Sequence, residues 1–298
     1  MGSLRRVPSV SPVPVLVIAA SALAGAFLSP ALAHAQTPPD IPAPSDIIYE
    51  VRLGDGSVIF AQVVELDEAR VVFETVGGAR LDVERSGIEA VRPATGQVVE
   101  GEFWAEDPGG TRLFFTSTGR SLRRGESYIG TYVVVLPFAA VGITDRFTIV
   151  GGAPILFGEL EPFYLGPKLQ IIRQPEVQAS VGTLAFFFDD EVVGVAYGVA
   201  TFGDTERALS AGIGYFYSGD EVLNEPAFML GGETRVSRRI KLITENYVLP
   251  DAVGVVLSGG FRIIGDRFNT EVGALGAIAD GDGGCCVPLI NFSYSFGR

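Results

Sequence analysis

Histidine is nearly absent. The one copy, His34, sits in a segment that reads as removable, and the chain beyond it has none. This excludes Ser–His and Cys–His nucleophiles, imidazole acid–base catalysis and His-ligated metal centres. No paired-acid motif takes their place. Cysteine is almost as scarce. Cys285 and Cys286 are adjacent in "DGDGGCC", so they cannot staple distant segments. They either close a strained vicinal disulfide or stay as exposed thiols. The same glycine-rich run hints at a calcium loop, but Asn291 stands where such a loop needs a bidentate Glu. The expectation is a protein with no catalytic residue, no metal and no cofactor.

Long apolar runs are missing too. Beyond the N-terminus no stretch reaches the roughly 18 uninterrupted apolar residues of a spanning helix. The 38 glycines and 18 prolines argue against a helical protein. Yet 47% of the residues are hydrophobic and the mean hydropathy is +0.34, high for a soluble protein. Positive charge is short as well, with 22 basic against 35 acidic residues.

At the N-terminus, Arg5 and Arg6 precede the apolar "VPVLVIAASALAGAFL", and "ALAHAQ" offers cleavage after Ala33 or Ala35. That is the layout of an export signal over residues 1–35. Pro12, Pro14 and Pro30 interrupt the run, which disfavours the alternative of a membrane anchor. Cleavage would take Arg5 and Arg6 from the 22 basic residues and none of the 35 acids, leaving 20 against 35, a balance of −15. An exported chain of that charge is not expected to bind nucleic acid.

Residues 36–45, "QTPPDIPAPS", read as a proline-rich linker. Residues 46–97 hold about five short alternating runs, with Gly54-Asp55-Gly56 and Gly77-Gly78 as hairpin turns. Through "DGS" followed by "VV" and a second hairpin, this segment resembles an SH3-like or Sm-like barrel. The RNA binding of Sm-like proteins does not suit an exported, acidic unit, so a scaffold or interaction domain is expected. Residues 98–111 read as a second linker, holding the only tryptophan, Trp104.

From residue 112 onward, extended segments repeat to the end. Strands are expected near 112–118, 127–143, 147–156, 163–173, 177–187, 191–202, 208–217, 227–236, 240–249, 253–264, 268–278 and 287–296. Most match the roughly 9–11 residues of a tilted strand crossing a bilayer. Their turns alternate in kind. "TDR" at 144–146, "SRR" at 237–239 and "GDR" at 265–267 are short and basic, with "RQPE" and "GDTER" in the same phase. "FGELEP", "DDE", "SGDEVLNEP", "PDAV" and "ADGDGGCC" are longer or more acidic. Outer-membrane barrels show this asymmetry, with the short turns periplasmic, and a bilayer admits no open sheet edge.

In the last strand, Ile290, Phe292, Tyr294 and Phe296 alternate with Asn291, Ser293 and Ser295. This strand resembles the C-terminal strand of bacterial outer-membrane β-barrel proteins, although here Gly297 and Arg298 follow the final aromatic. The resemblance covers residues 112–298. It implies outer-membrane lipid and the barrel assembly machinery as partners. It also implies an outer-membrane location, with the N-terminal domain in the periplasm and the loop of Cys285 and Cys286 outside. The fold class expected is all-β: an antiparallel up-and-down transmembrane β-barrel of about twelve strands, preceded by the small SH3-like/Sm-like domain.

Polarity along the strands assigns faces. Glu233 and Arg235 alternate against Phe228, Leu230 and Val236; Arg262 shares a phase with Ser258 and Gly260; Glu271 shares one with Asn269; Lys168 shares one with Gln170. Arg or Lys facing lipid near the midplane costs about 2–4 kcal/mol, so Lys168, Glu233, Arg235, Arg262 and Glu271 are expected in the lumen. Lys241 and Glu245 are ambiguous, because Ile243 and Tyr247 share their phase. The lumen charges either pair and fill the barrel or line a conducting path. Three functions are open: a non-enzymatic outer-membrane barrel acting as a narrow pore or structural envelope component, a secreted or periplasmic all-β binding protein, and a membrane-embedded hydrolase. The missing histidine disfavours the last.

Overall fold

The computed structural model describes residues 40–154, 162–189, 191–250, 254–279 and 282–297. The export signal expected over residues 1–35, His34 included, lies outside them, as does most of the first half of the proline-rich linker. The chain divides into two compact units.

The first unit is a five-stranded antiparallel sheet: β1 (Tyr49–Leu53), β2 (Val58–Leu66), β3 (Arg70–Thr75), β4 (Arg80–Glu84) and β5 (Ile88–Pro93). The strand order is β4-β3-β2-β1-β5. Alternation puts Val51, Ala61, Val63, Val71 and Phe73 into one core, sealed by Ile41, Tyr49 and Ile88. The β1–β2 turn is built as its sequence suggests. Gly56 takes φ +83°, and the Asp55 carboxylate accepts the Ser57 backbone N–H at 2.9 Å.

The second unit opens with a hairpin, β6 (Gly96–Val99) and β7 (Glu102–Ala105). Glu100 and Gly101 at its tip both have positive φ, +50° and +81°, the geometry that matches strand twist in a two-residue turn. Residues 98–111, read as a linker, therefore carry ordered structure.

The barrel follows. Its wall strands are β8 (Ser127–Tyr132), β9 (Leu136–Gly142), β10 (Phe147–Gly152), β11 (Phe163–Arg173), β12 (Val177–Phe187), β13 (Val192–Gly203), β14 (Arg207–Ser218), β16 (Ala227–Ser237), β17 (Ile240–Val248), β18 (Val255–Ile264), β19 (Phe268–Ala279) and β20 (Asp282–Phe296). A two-residue strand, β15 (Glu221–Val222), clips onto the end of β14. Each wall strand pairs antiparallel with the next, and β20 pairs with β8 from Phe292↔Thr131 to Phe296↔Ser127. The ring is a closed, up-and-down barrel of twelve strands. No helix in the described residues is long and apolar enough to cross a membrane.

The strand count agrees with expectation for a partly wrong reason. Residues 112–118 are not a wall strand; Leu113 donates to the Thr116 carbonyl at 2.9 Å and Thr118 to the Thr111 carbonyl at 3.0 Å, which folds them into a tight hairpin. The expected strand 127–143 is instead two strands, β8 and β9, turning at Val133 and Val134. Both valines have positive φ, +49° and +68°. β-Branched residues signal strand, so the "VVV" run hid the turn. The left-handed region costs an L-residue roughly 1–2 kcal/mol. Val134 is exposed, so Val134→Asn, which tolerates that region, is expected to stabilise the barrel by about 1 kcal/mol. Chemical unfolding in lipid vesicles measures it; an unchanged or lower midpoint would refute the strain.

The wall is polar inside and apolar outside. Leu165, Leu169, Leu209, Leu230, Leu257 and Phe268 are exposed on the outer face. Their strand neighbours Gln170, Ser210, Ser258 and Asn269 are buried on the inner one. On β20, Asn291, Ser293 and Ser295 are buried, whereas Ile290 and Tyr294 are exposed.

Candidate functional site: a plug inside the barrel

Between β7 and β8 the chain enters the lumen. Asp107 through Phe114 are buried without a break, as are Thr118, Gly119 and Leu122. At the tip of the plug hairpin, Leu113 and Phe114 pack against the wall residues Val199, Met229, Ile243 and Leu289. The wall is thinned to receive the tip. A Cβ on Gly231 would stand 2.3 Å from Leu113 Cδ1, and one on Gly273 would stand 3.2 Å from Phe114 Cζ. Farther along, Gly119 of the plug lies directly on the backbone of β12. A Cβ there would meet the Gln178 carbonyl oxygen at 2.3 Å. Its own N–H donates to Thr201 Oγ1 at 2.8 Å, and its carbonyl accepts from Ser180 Oγ at 2.9 Å.

Charge locks the plug to the wall. Arg262, fully buried, bonds Asp107 and Glu271, each at 2.8 Å. It also donates to the carbonyls of Arg112 and Leu113, both at 2.9 Å. Arg112 bonds Glu271 at 2.7 Å. Lys241 bonds Asp107 at 2.7 Å and Glu233 at 3.2 Å. Arg120 bonds Glu233 at 2.5 Å. Charges of alternating sign, drawn from both the plug and the wall, thus join in one network. Glu245 differs, having no cation partner among the described residues. Its two oxygens accept the backbone N–H groups of Phe114, Phe115 and Thr116 at 2.7, 3.1 and 3.2 Å, and the Tyr247 hydroxyl. A buried carboxylate without such donors would be strongly unfavourable, so the plug backbone completes the wall.

The structure places Lys168, Glu233, Arg235, Arg262 and Glu271 in the lumen, each with a partner in residues 105–120. Lys168 donates to the carbonyls of Thr111, Thr118 and Arg120 at 3.3, 3.4 and 2.6 Å. Arg235 donates to the Ala105 carbonyl at 2.8 Å, bonds Glu206 at 3.1 Å and lies 5.1 Å over the Trp104 ring. Sequence reading missed the other half of the network, Asp107, Arg112 and Arg120, because nothing in local patterning marks a loop that folds into a barrel. It left Lys241 and Glu245 ambiguous because Ile243 shares their phase. Ile243 faces the lumen as well, where it meets Leu113 and Phe114. The apolar break in a polar face was the imprint of the plug.

Burial alone would raise the Asp107 carboxyl, but the charges of Arg262 and Lys241 overcome it and hold the group well below the ordinary carboxylate range. A depressed carboxylate contributes stability that is present above its unfolded value, about 3.9, and is lost as pH falls through the folded one. The Asp107 contribution should therefore be constant from pH 5 to 8 and decline only in stronger acid, below about pH 4. Unfolding midpoints against pH check this: Asp107→Asn should be weaker at neutrality and should lose less on acidification. Parallel curves would refute it.

Beyond the plug tip lies a cavity of about 510 Å³. Phe115, Tyr132, Tyr197, Phe186, Met229 and Tyr247 are among its walls, and Arg112 and Lys168 also border it. At the opposite end of the chain, Cys286 is disulfide-bonded.

These features define a class of molecule: a closed, twelve-stranded antiparallel β-barrel whose own chain fills part of the lumen. No protein-family model matches the chain, and no curated protein matches it. Among solved structures it is similar to one described as "NanC porin structure in rhombohedral crystal form", with 9% identity and a TM-score of 0.38, covering 58% of this chain and 99% of that one.

Proposed function

We propose that this chain is an exported, non-enzymatic outer-membrane β-barrel protein, held shut by its own plug, and an envelope component rather than a standing pore. One observation carries the reading: polarity is inverted on a closed barrel, with a buried charge network inside and exposed leucine and phenylalanine outside. Water offers no reason for that inversion, whereas a bilayer requires it. The same belt argues against a secreted or periplasmic binding protein, which would expose it to water. The short turns at 144–146, 237–239 and 265–267 would face the periplasm, the compartment also proposed for the N-terminal unit. That unit's strand order, with β5 returning to pair with β1, supports an SH3-like or Sm-like interaction domain.

Fractionated membranes and planar bilayers test this reading. The protein is expected in the outer membrane, heat-modifiable on gels and close to baseline conductance when reconstituted. Recovery in the soluble fraction would overturn the membrane assignment, and steady open conductance of the intact chain would overturn the closed state. An impermeant thiol reagent, applied to cells after mild reduction, should reach the cysteine pair without lysis; labelling only after lysis would reverse the orientation.

A further inference from the structure

The cavity beyond the plug does not stay inside the wall. Its lining includes Ile213 of β14 and Phe228 of β16. Both point out of the barrel and are 42% and 49% exposed. They face each other in the ladder, one pair below its end at Gly214↔Ala227. Beyond that pair, Tyr217 and Ser218 bond β15 instead of β16. The ladder between β14 and β16 therefore ends one pair beyond the level where the cavity lining includes outward-facing residues. Among the inward-facing residues flanking Ile213 and Phe228, Gly212, Gly214 and Ala227 are small, and Met229 lies opposite Gly212. On the membrane reading above, the medium at this opening is hydrocarbon.

Inside, the lining is overwhelmingly apolar and aromatic, with a few polar atoms. The Tyr164 hydroxyl is among them. Tyr164 is 7% exposed, and its hydroxyl has no hydrogen-bond partner among the described residues. Buried hydroxyls rarely go unpaired. Two turns of the pleat away on the same inward face, Lys168 is bonded to three carbonyls and to no carboxylate among the described residues. A lysine held by carbonyls alone and a hydroxyl without a partner among the described residues, on one wall of an apolar chamber, suit a single oxygen-bearing, acidic head on a hydrocarbon tail. The volume falls in the range of about 300–1,000 Å³ usual for small-molecule sites.

We infer that this cavity binds one long-chain fatty acid, admitted from the membrane between β14 and β16, its chain on the aromatic walls and its carboxyl group directed to the Tyr164 hydroxyl. The inference rests on the membrane reading, and the test separates the two. Purified full-length protein is reconstituted in phosphatidylcholine vesicles carrying a fatty acid with a photoreactive diazirine near the chain end. A parallel sample carries the same chain esterified in phosphatidylcholine. Crosslinked residues are then mapped by mass spectrometry.

The free acid is expected to label lumen residues such as Met229 and Tyr197, and the phospholipid only belt residues such as Leu230 and Leu257. Ala227→Phe, at the opening, should lower lumen labelling by about tenfold or more and leave belt labelling unchanged. Met229→Trp, deeper in, should do the same if the first variant misassembles, as judged by heat-modifiability. Tyr164→Phe should reduce lumen labelling roughly 3- to 10-fold, the worth of one hydrogen bond. Belt labelling without lumen labelling overturns the fatty-acid site and leaves the membrane reading standing. Absence of both overturns the membrane reading itself. Equal lumen labelling by the phospholipid overturns the carboxyl-headed ligand, and full labelling of Ala227→Phe overturns entry between β14 and β16.

Discussion

Deletion of residues 107–122 is expected to turn a closed barrel into an ion-conducting one. In the intact chain the plug supplies Asp107, Arg112 and Arg120 to the network, and its backbone satisfies Glu245. Without it, the buried wall charges Lys168, Arg235, Lys241, Arg262, Glu233, Glu245 and Glu271 would be met by water, since a buried ionised group left unpaired is far costlier than a hydrated one. Twelve strands lie between the small barrels whose interiors side chains fill and the 16-stranded porins that leave a channel, so the evacuated lumen should admit hydrated ions. Reconstitution in planar bilayers should show discrete conductance steps absent from the intact protein. Four wall cations against three carboxylates favour anions only weakly. A gentler variant, Gly119→Val, should open the barrel part of the time, because its side chain cannot fit 2.3 Å from the Gln178 carbonyl. A deletion protein that assembles as a heat-modifiable barrel and conducts nothing would show that the plug is not what closes the lumen.

The second large effect should come from Arg262→Glu. Arg262 is fully buried and joins Asp107 of the plug to Glu271 of the wall while bonding two plug carbonyls. Breaking a buried pair by removing one partner costs about 3–5 kcal/mol. The reversal adds a third carboxylate beside Asp107 and Glu271, which would keep only Lys241 and Arg112 as their cations, so the loss should reach or exceed the upper end of that range. Arg235→Ala should cost less, about 1–2 kcal/mol, because its partner Glu206 is 19% exposed and water can replace the lost guanidinium. Denaturant unfolding of both variants in vesicles gives the ranking. Equal costs would mean that the lumen is wetter than its geometry implies. Loss of plug docking with an intact barrel, seen as new protease cleavage near residue 112, would show that the cost falls on the plug alone.

What sequence alone determined follows from local periodicity. A strand alternates its faces every residue, so Glu271 against Val272, or Asn291 against Phe292, fixes which side faces into the ring and which faces out without knowledge of any partner. Hairpin turns are local too, and the alternation of short basic turns with longer loops set strand direction around the ring. Closure was expected of a membrane barrel, which admits no unpaired edge, and the ring does close, β20 pairing with β8. Local patterning failed at the Val133–Val134 turn, where β-branched residues take the left-handed region and tertiary pairing of β8 with β20 and β9 overrides their preference.

Only the tertiary structure decided what the lumen holds. Residues 105–122 look like a linker and a short strand, and their meaning depends on partners up to 181 positions away, as in Arg112 to Ser293. The fit of Leu113 to Gly231, the three N–H groups on Glu245, and the joining of Arg112 to Arg262 through Glu271 arise only when the ring closes around the segment. Charge complementarity in a confined space is a property of three-dimensional neighbours, and the period of a strand carries no record of it.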